Sequence, residues 1–121
     1  MDTKHFVAFV PYAALSPFHI WIFPKRHSGF FADMQSEEIW DMASNLKSIM
    51  ARLYHGLNNP DFNYVVMSGN PSDVNSGFIH WYLSVVPRVA MASGFELGSG
   101  MYINSLIPEK AAEYLRNVKI P

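Results

Sequence analysis

The sequence predicts an α+β fold: a mainly antiparallel sheet of about five strands, one long helix across it and a short helix at the C-terminus. Two observations carry this. Apolar, β-branched and aromatic runs of strand length alternate with helix-period segments in the order β-β-α-β-β-α. The first two strand-like runs lie so close in sequence that antiparallel neighbours are the simplest pairing, which favours a meander over a parallel sheet. Half of the 121 residues are hydrophobic and only 16% are charged, so the chain has the material for a core and is not disordered.

The elements follow in order. His5 to Tyr12 (HFVAFVPY) reads as a strand ending at Pro11, and Phe18 to Phe23 (FHIWIF) as a second strand stopped by Pro24. Ser36 is the expected helix cap, with Glu37 and Glu38 in the first turn, where the positive end of the helix dipole favours them. Ile39, Met42, Ala43, Leu46, Ile49, Met50 and Leu53 then form an apolar stripe at three- and four-residue spacing, and Gly56 and NNP close the helix. FNYVVMS (62–68) is a third strand and GNPSDVNSG (69–77) a polar loop. Residues 78–86 of FIHWYLSVVPR form a fourth strand, almost continuously apolar and therefore expected at the centre of the sheet. SGFELGSG (93–100), with three glycines, reads as a turn or a place where backbone meets a ligand, and MYIN as an edge strand. Pro108 opens the last helix, with Ala111, Ala112, Leu115 and Val118 inward. The whole of 1–121 is expected to be one domain.

Composition narrows the function classes. A net charge of -1, with no basic run longer than Pro24-Lys25-Arg26-His27, argues against nucleic acid as a partner. The absence of cysteine removes disulfides, thiolate nucleophiles and cysteine-based zinc sites. No apolar run reaches the ~20 residues of a membrane span, and Met-Asp-Thr-Lys-His is not a signal peptide, so a cytoplasmic protein with no membrane partner is expected.

His80 is the first candidate for chemistry. In a regular strand, residues 80, 82, 84 and 86 share a face, which here reads His80, Tyr82, Ser84 and Val86. Three histidines at 80, 82 and 84 would supply a central imidazole to attack phosphorus, but a phenol of pKa ~10 is a poor nucleophile. Ser84 needs a base, and His80 lies roughly 13 Å away along the strand. The face can therefore bind without an evident nucleophile, and a structural role for His80 outweighs catalysis. The five histidines show no H-x-H or H-x-x-x-H pair, so no metal site is expected. Lys25, Arg26, His27 and Arg88 follow strands and could hold a phosphate. Glu96, in the glycine-rich segment, could accept hydrogen bonds from sugar hydroxyls. Solvated surface groups are the competing reading for both sets.

Taken together, HFVAFVPYAALSPFHIWIFPKRH, FIHWYLSVVPR and GFELGSGMYIN followed by PEKAAEYLR resemble the C-terminal half of galactose-1-phosphate uridylyltransferase-like proteins, in the HIT-like (histidine triad) superfamily. The likeness runs from about His5 to the end. It implies a HIT-like domain and a nucleotidyltransferase for sugar phosphates whose nucleophilic histidine lies in a His-Pro-His motif of the other half. No His-Pro-His occurs here, and the zinc ligands of that half are absent with it. By the resemblance, His80 matches the histidine that opens the triad strand, and Tyr82 stands where hydrolases of the superfamily carry their nucleophile. Ser84 and Val86 stand where some uridylyltransferases place two metal-binding histidines. Glu96, with Gly94 and Phe95 beside it, matches a hexose-contacting segment that acts across a subunit interface. A lysine that relatives can carry just before it has no counterpart in VAMAS. Lys25 and His27 match a recurring PK-x-H element.

The expected function is thus the half of such an enzyme that lacks the attacking histidine. It would supply hexose and phosphate contacts (His80, Tyr82, Ser84, Arg88, Gly94, Phe95, Glu96, Lys25, His27) and a dimer interface, with no cofactor, and be inactive or weakly active alone. The alternative is a free-standing degenerate module, homodimeric, that binds a nucleotide or sugar phosphate without turnover. A hydrolase or transferase using His80 itself is the third and weakest reading.

Overall fold

A computed structural model describes residues 1–121. Its sheet has four antiparallel strands, β1 (Phe6–Phe9), β2 (Ile20–Pro24), β3 (Phe62–Met67) and β4 (Tyr82–Pro87), in the order β1-β2-β4-β3. The strand that the sequence places at the centre, β4, is paired on both sides: Trp21 faces Ser84 across the β2 ladder, and Val65 faces Ser84 across the β3 ladder. Helix α1 (Ser36–Gly56) covers one face, joined there by α3 (Pro108–Asn117), while α2 (Gly94–Ser99) lies in the segment that leaves β4.

Alternation sorts the two faces. Phe6 and Ala8 of β1, Ile20 and Ile22 of β2, and Leu83 and Val85 of β4 are buried against Met42, Ile49 and Leu53 of α1 and Leu115 of α3. Trp81, just before β4, anchors the far end of this core, edge-on to Phe6 at 5.9 Å and to Phe31 at 5.0 Å between ring centroids. Its backbone N–H donates to Ser28 O at 3.0 Å. Gly29 is needed at this point, because a side chain would collide with the Asp73 backbone of the 69–77 loop.

Several expected boundaries move. MYIN forms no strand, so the sheet has four strands rather than five; its residues lie in the irregular segment after α2 with no ladder partner. The glycine-rich 93–100 segment is a short helix instead of a turn, because Glu96 reaches back to cap its own N-terminus at Ser93. His80 lies before β4, which begins at Tyr82. The cap of α1 is Gln35, not Ser36. The buried stripe of α1 is Glu38, Met42, Asn45, Ile49 and Leu53, rotated from the apolar one, so that Ile39, Trp40 and Ala43 face outward.

That rotation has an electrostatic cause. Arg26, just past β2, donates from Nε and Nη2 to both oxygens of Glu38 at 2.8 Å, and from Nη1 to Asp33 at 2.8 Å. Glu38 also accepts the N–H of Gln35 at 2.8 Å. The arginine hydrogen bonds hold the Glu38 carboxyl below the usual range despite burial, which pushes it up. One turn on, Asp41 accepts from the His5 N–H at 2.7 Å and the Thr3 hydroxyl at 2.8 Å. Burial raises its pKa, but these two bonds together with nearby charge, Lys25 included, outweigh burial and leave the carboxyl below its ordinary value. Polar residues of α1 thus turn inward to hold the ends of β1 and β2. Glu38→Ala should lower stability by about 2 kcal/mol in urea unfolding, less than a fully buried pair because Arg26 is partly solvated. Glu38→Gln, which can still accept from Gln35, should lose less.

Candidate functional site

The face of the sheet opposite the helices carries an aromatic ribbon. Phe9, Trp21, Phe23 and Tyr82 project to this side. Phe23 stacks on Tyr82 at 4.7 Å and lies against Phe9 at 5.9 Å, while Trp21 tilts against Tyr82 at 5.1 Å. The ribbon continues through His80, edge-on to Phe23 at 5.4 Å, to His27 at 4.8 Å from His80. His80 Nε2 donates to Pro24 O at 2.9 Å and His27 Nε2 to Ser76 O at 2.8 Å. A carbonyl oxygen only accepts, so both rings carry a proton on Nε2. Four of the residues singled out in the sequence, His27, His80, Tyr82 and Ser84, meet on this one surface.

Sequence spacing offers Ser84 no base, but the fold supplies a histidine neighbour. His19 Nε2 lies 2.7 Å from Ser84 Oγ, and the Trp21 indole N–H donates to the same nitrogen at 3.1 Å. An indole N–H can only donate, so Nε2 holds a lone pair and the proton sits on Nδ1; the Ser84 hydroxyl then donates to Nε2 as well. The Leu15 N–H approaches Nδ1 only at 3.4 Å, too long to reverse this assignment. His19 is 2% exposed, and burial pushes its pKa below the ordinary histidine value. A neutral, desolvated imidazole whose lone pair is shared with an indole is a poor acceptor for the serine proton. The arrangement holds a hydroxyl in place rather than activating it. Phe18, at φ 61° in the left-handed region, directly precedes His19, which lies at the entrance to β2. The alternation of FHIWIF puts His19, Trp21 and Phe23 on one face, but only the β2–β4 register sets His19 beside Ser84.

The other candidates lie apart from this floor. Lys25 forms an ion pair with Asp2 at 2.5 Å and donates to Thr3 O, pinning the N-terminal segment. Arg88 follows β4 with an exposed side chain; its backbone N–H donates to Asp61 O at 2.7 Å. Gly94 and Phe95 open α2, with Phe95 exposed and open space around Gly94. Glu96 Oε2 accepts from the Ser93 N–H at 3.0 Å and the Ser93 hydroxyl at 2.9 Å. These bonds, the backbone one first, hold its carboxyl below the usual range and leave Oε1 free of these Ser93 bonds. Ser84, engaged with His19, and Val86, an alkyl side chain, do not fit the pair of metal ligands that the resemblance sets at their positions.

His19 makes stability depend on pH. Its folded-state pKa lies below the unfolded value of about 6.5, so its contribution is complete above that pH and is lost as pH falls toward the folded value. Urea midpoints measured between pH 7 and pH 5 should fall in the parent, and His19→Gln should remove part of that fall.

No protein-family model matches the chain. It is 36% identical over 122 residues to an ADP-glucose phosphorylase from Arabidopsis thaliana, covering 98% of this chain and 34% of that protein. It is 32% identical over 129 residues to a galactose-1-phosphate uridylyltransferase from Thermotoga maritima, covering 98% of this chain and 40% of that protein. The crystal structure of the Arabidopsis ADP-glucose phosphorylase with bound ADP-glucose superposes with a TM-score of 0.89 at 35% identity, over 98% of this chain and 39% of that one. A zinc-bound histidine triad family protein from Mycobacterium smegmatis shares the fold, with a TM-score of 0.64 at 22% identity over 96% of this chain and 78% of that one. The chain spans a third to two fifths of the length of the first two relatives. Over nearly its full length, then, this chain matches the C-terminal half of galactose-1-phosphate uridylyltransferase-like proteins, built on the HIT-like fold.

Proposed function

We propose that the chain is the half of a nucleotide-sugar nucleotidyltransferase that lacks the attacking histidine, and that it contributes hexose and phosphate contacts to a site completed by a second HIT-like unit. The observation that carries this reading is the state of the β4 face. Where a nucleophile would stand, Tyr82 is stacked on Phe23 and the Ser84 hydroxyl is held by a neutral, buried His19. Glu96 is the proposed hexose contact, since Ser93 fixes Oε2 and Oε1 can accept from a sugar hydroxyl. Gly94 and Phe95 flank it. Arg88 is the proposed phosphate contact on the β4 side, with His80 and His27 as the polar rim of the aromatic floor. Lys25 would first have to leave Asp2.

The second unit is argued from β3. Every residue of this strand is exposed, and its outer edge is unpaired, whereas the outer edge of β1 is covered by the Asp2–Val7 bridge. Tyr64, Val65, Val66 and Met67 on β3 leave an apolar edge of the kind that a partner covers. The alternative, a homodimeric module that binds without turnover, uses the same edge and differs only in needing no further half.

Titration calorimetry with ADP-glucose and UDP-glucose should detect binding, and Glu96→Ala should weaken it about tenfold, the worth of one charge-assisted hydrogen bond. Mass spectrometry after incubation should find no covalent nucleotidyl adduct. An adduct on this chain, or unchanged affinity in Glu96→Ala, would overturn the reading. Sedimentation velocity should show a dimer that the double substitution Tyr64→Lys and Val66→Lys converts to monomer.

A further inference from the structure

A cavity of about 490 Å³ opens on the helical side of the molecule, between the β1 edge of the sheet, α1 and α3. Phe9, at the outer end of the aromatic ribbon, reaches its edge, but none of the residues argued above for nucleotide-sugar binding lines it. Its floor is the core itself, where Ala8, Ile20, Ile49 and Leu115 form the wall, and nine of its 13 lining residues are hydrophobic. That volume falls within the ~300–1,000 Å³ usual for small-molecule sites.

The rim is charged. Arg52 uses Nη1 to donate to Leu115 O at 2.8 Å and Arg116 O at 3.0 Å, which ties the guanidinium to the C-terminal end of α3. Its Nε and Nη2 donate to no protein group. The Arg116 side chain is exposed and makes no ion pair. Glu109 is the one carboxylate among the lining residues.

We propose that this cavity binds a small amphipathic monoanion, a medium-length aliphatic chain ending in a carboxylate. The tail would lie on Ala8, Ile20, Ile49 and Leu115, and the head between Arg52 and Arg116. A tail-less anion would leave the apolar wall unused, and a purely apolar ligand would offer no acceptor to Nε and Nη2 of Arg52 or to the Arg116 guanidinium. Glu109 on the same rim disfavours a head of higher charge.

The test is an amide NMR titration of the full chain with sodium octanoate, 1-octanol and sodium acetate. Octanoate should saturably shift Ala8, Ile49 and Ala112, while octanol and acetate bind at least about tenfold more weakly. Arg116→Glu, at an exposed position, should weaken octanoate about tenfold, and Ala112→Phe, which fills the cavity, should abolish binding. If Ala112→Phe does not fold, Arg116→Glu and the octanol comparison decide. Shifts confined to β3 or to Trp21, Phe23 and Tyr82, equal binding of octanol, or unchanged affinity in Arg116→Glu would overturn the proposal. Flotation with phosphatidylglycerol vesicles separates a free carboxylate from a lipid: a chain that floats while octanoate leaves its spectrum unchanged also overturns it.

Discussion

Arg26 is the joint between the two layers of this fold. It leaves the end of β2 and meets both oxygens of Glu38 in the first turn of α1, with Asp33 on its other side. The geometry is a two-point fork, which fixes angle as well as distance. Because Glu38 is 4% exposed, the pair also fixes which side of α1 turns inward. An apolar stripe alone tolerates rotation by a fraction of a turn; a buried carboxylate held by a two-point arginine fork does not. Met42, Ile49 and Leu53 then fall on the sheet, while Ile39 and Trp40 are left outside.

The same orientation shapes the two surfaces available for function. The buried stripe of α1 packs with residues of β1, β2 and β4, and every residue of β3 is left exposed. The far side of the sheet has no helix, so its aromatic residues pack laterally on one another and form a floor with polar edges at His80 and His27. Within that floor, His19 replaces solvent as the partner of Ser84. Its desolvated imidazole stays neutral, and the hydroxyl is held without being activated.

Much of the fold was legible in the sequence. Alternation and aromatic content mark all four strands, and the nearly unbroken apolar character of residues 78–86 marks the fourth as central, although it begins only at Tyr82. The limits of α1 follow from its acidic first turn and from Asn58 and Asn59, which adopt the left-handed conformation beyond its end. MYIN was misread because β-propensity says nothing about whether a partner edge is in reach. The 93–100 segment was misread because its glycines outweighed the Ser93–Glu96 capping pair. Of the candidate site, His80, Tyr82 and Ser84 were readable from their period, but His19 was not, since its relation to Ser84 spans 65 residues.

The sequence by itself determined the order of elements, the faces of the strands and the absence of cysteine chemistry, because these depend on local period and composition. It also carried the likeness to the C-terminal half of galactose-1-phosphate uridylyltransferase-like proteins, which the comparisons bear out. Tertiary structure alone decided the rotation of α1, the pairing of His19 with Ser84 and the cavity between α1 and α3. Each depends on distances between residues far apart in the chain, set by strand register and by the Arg26–Glu38 contact, and no local pattern encodes such distances.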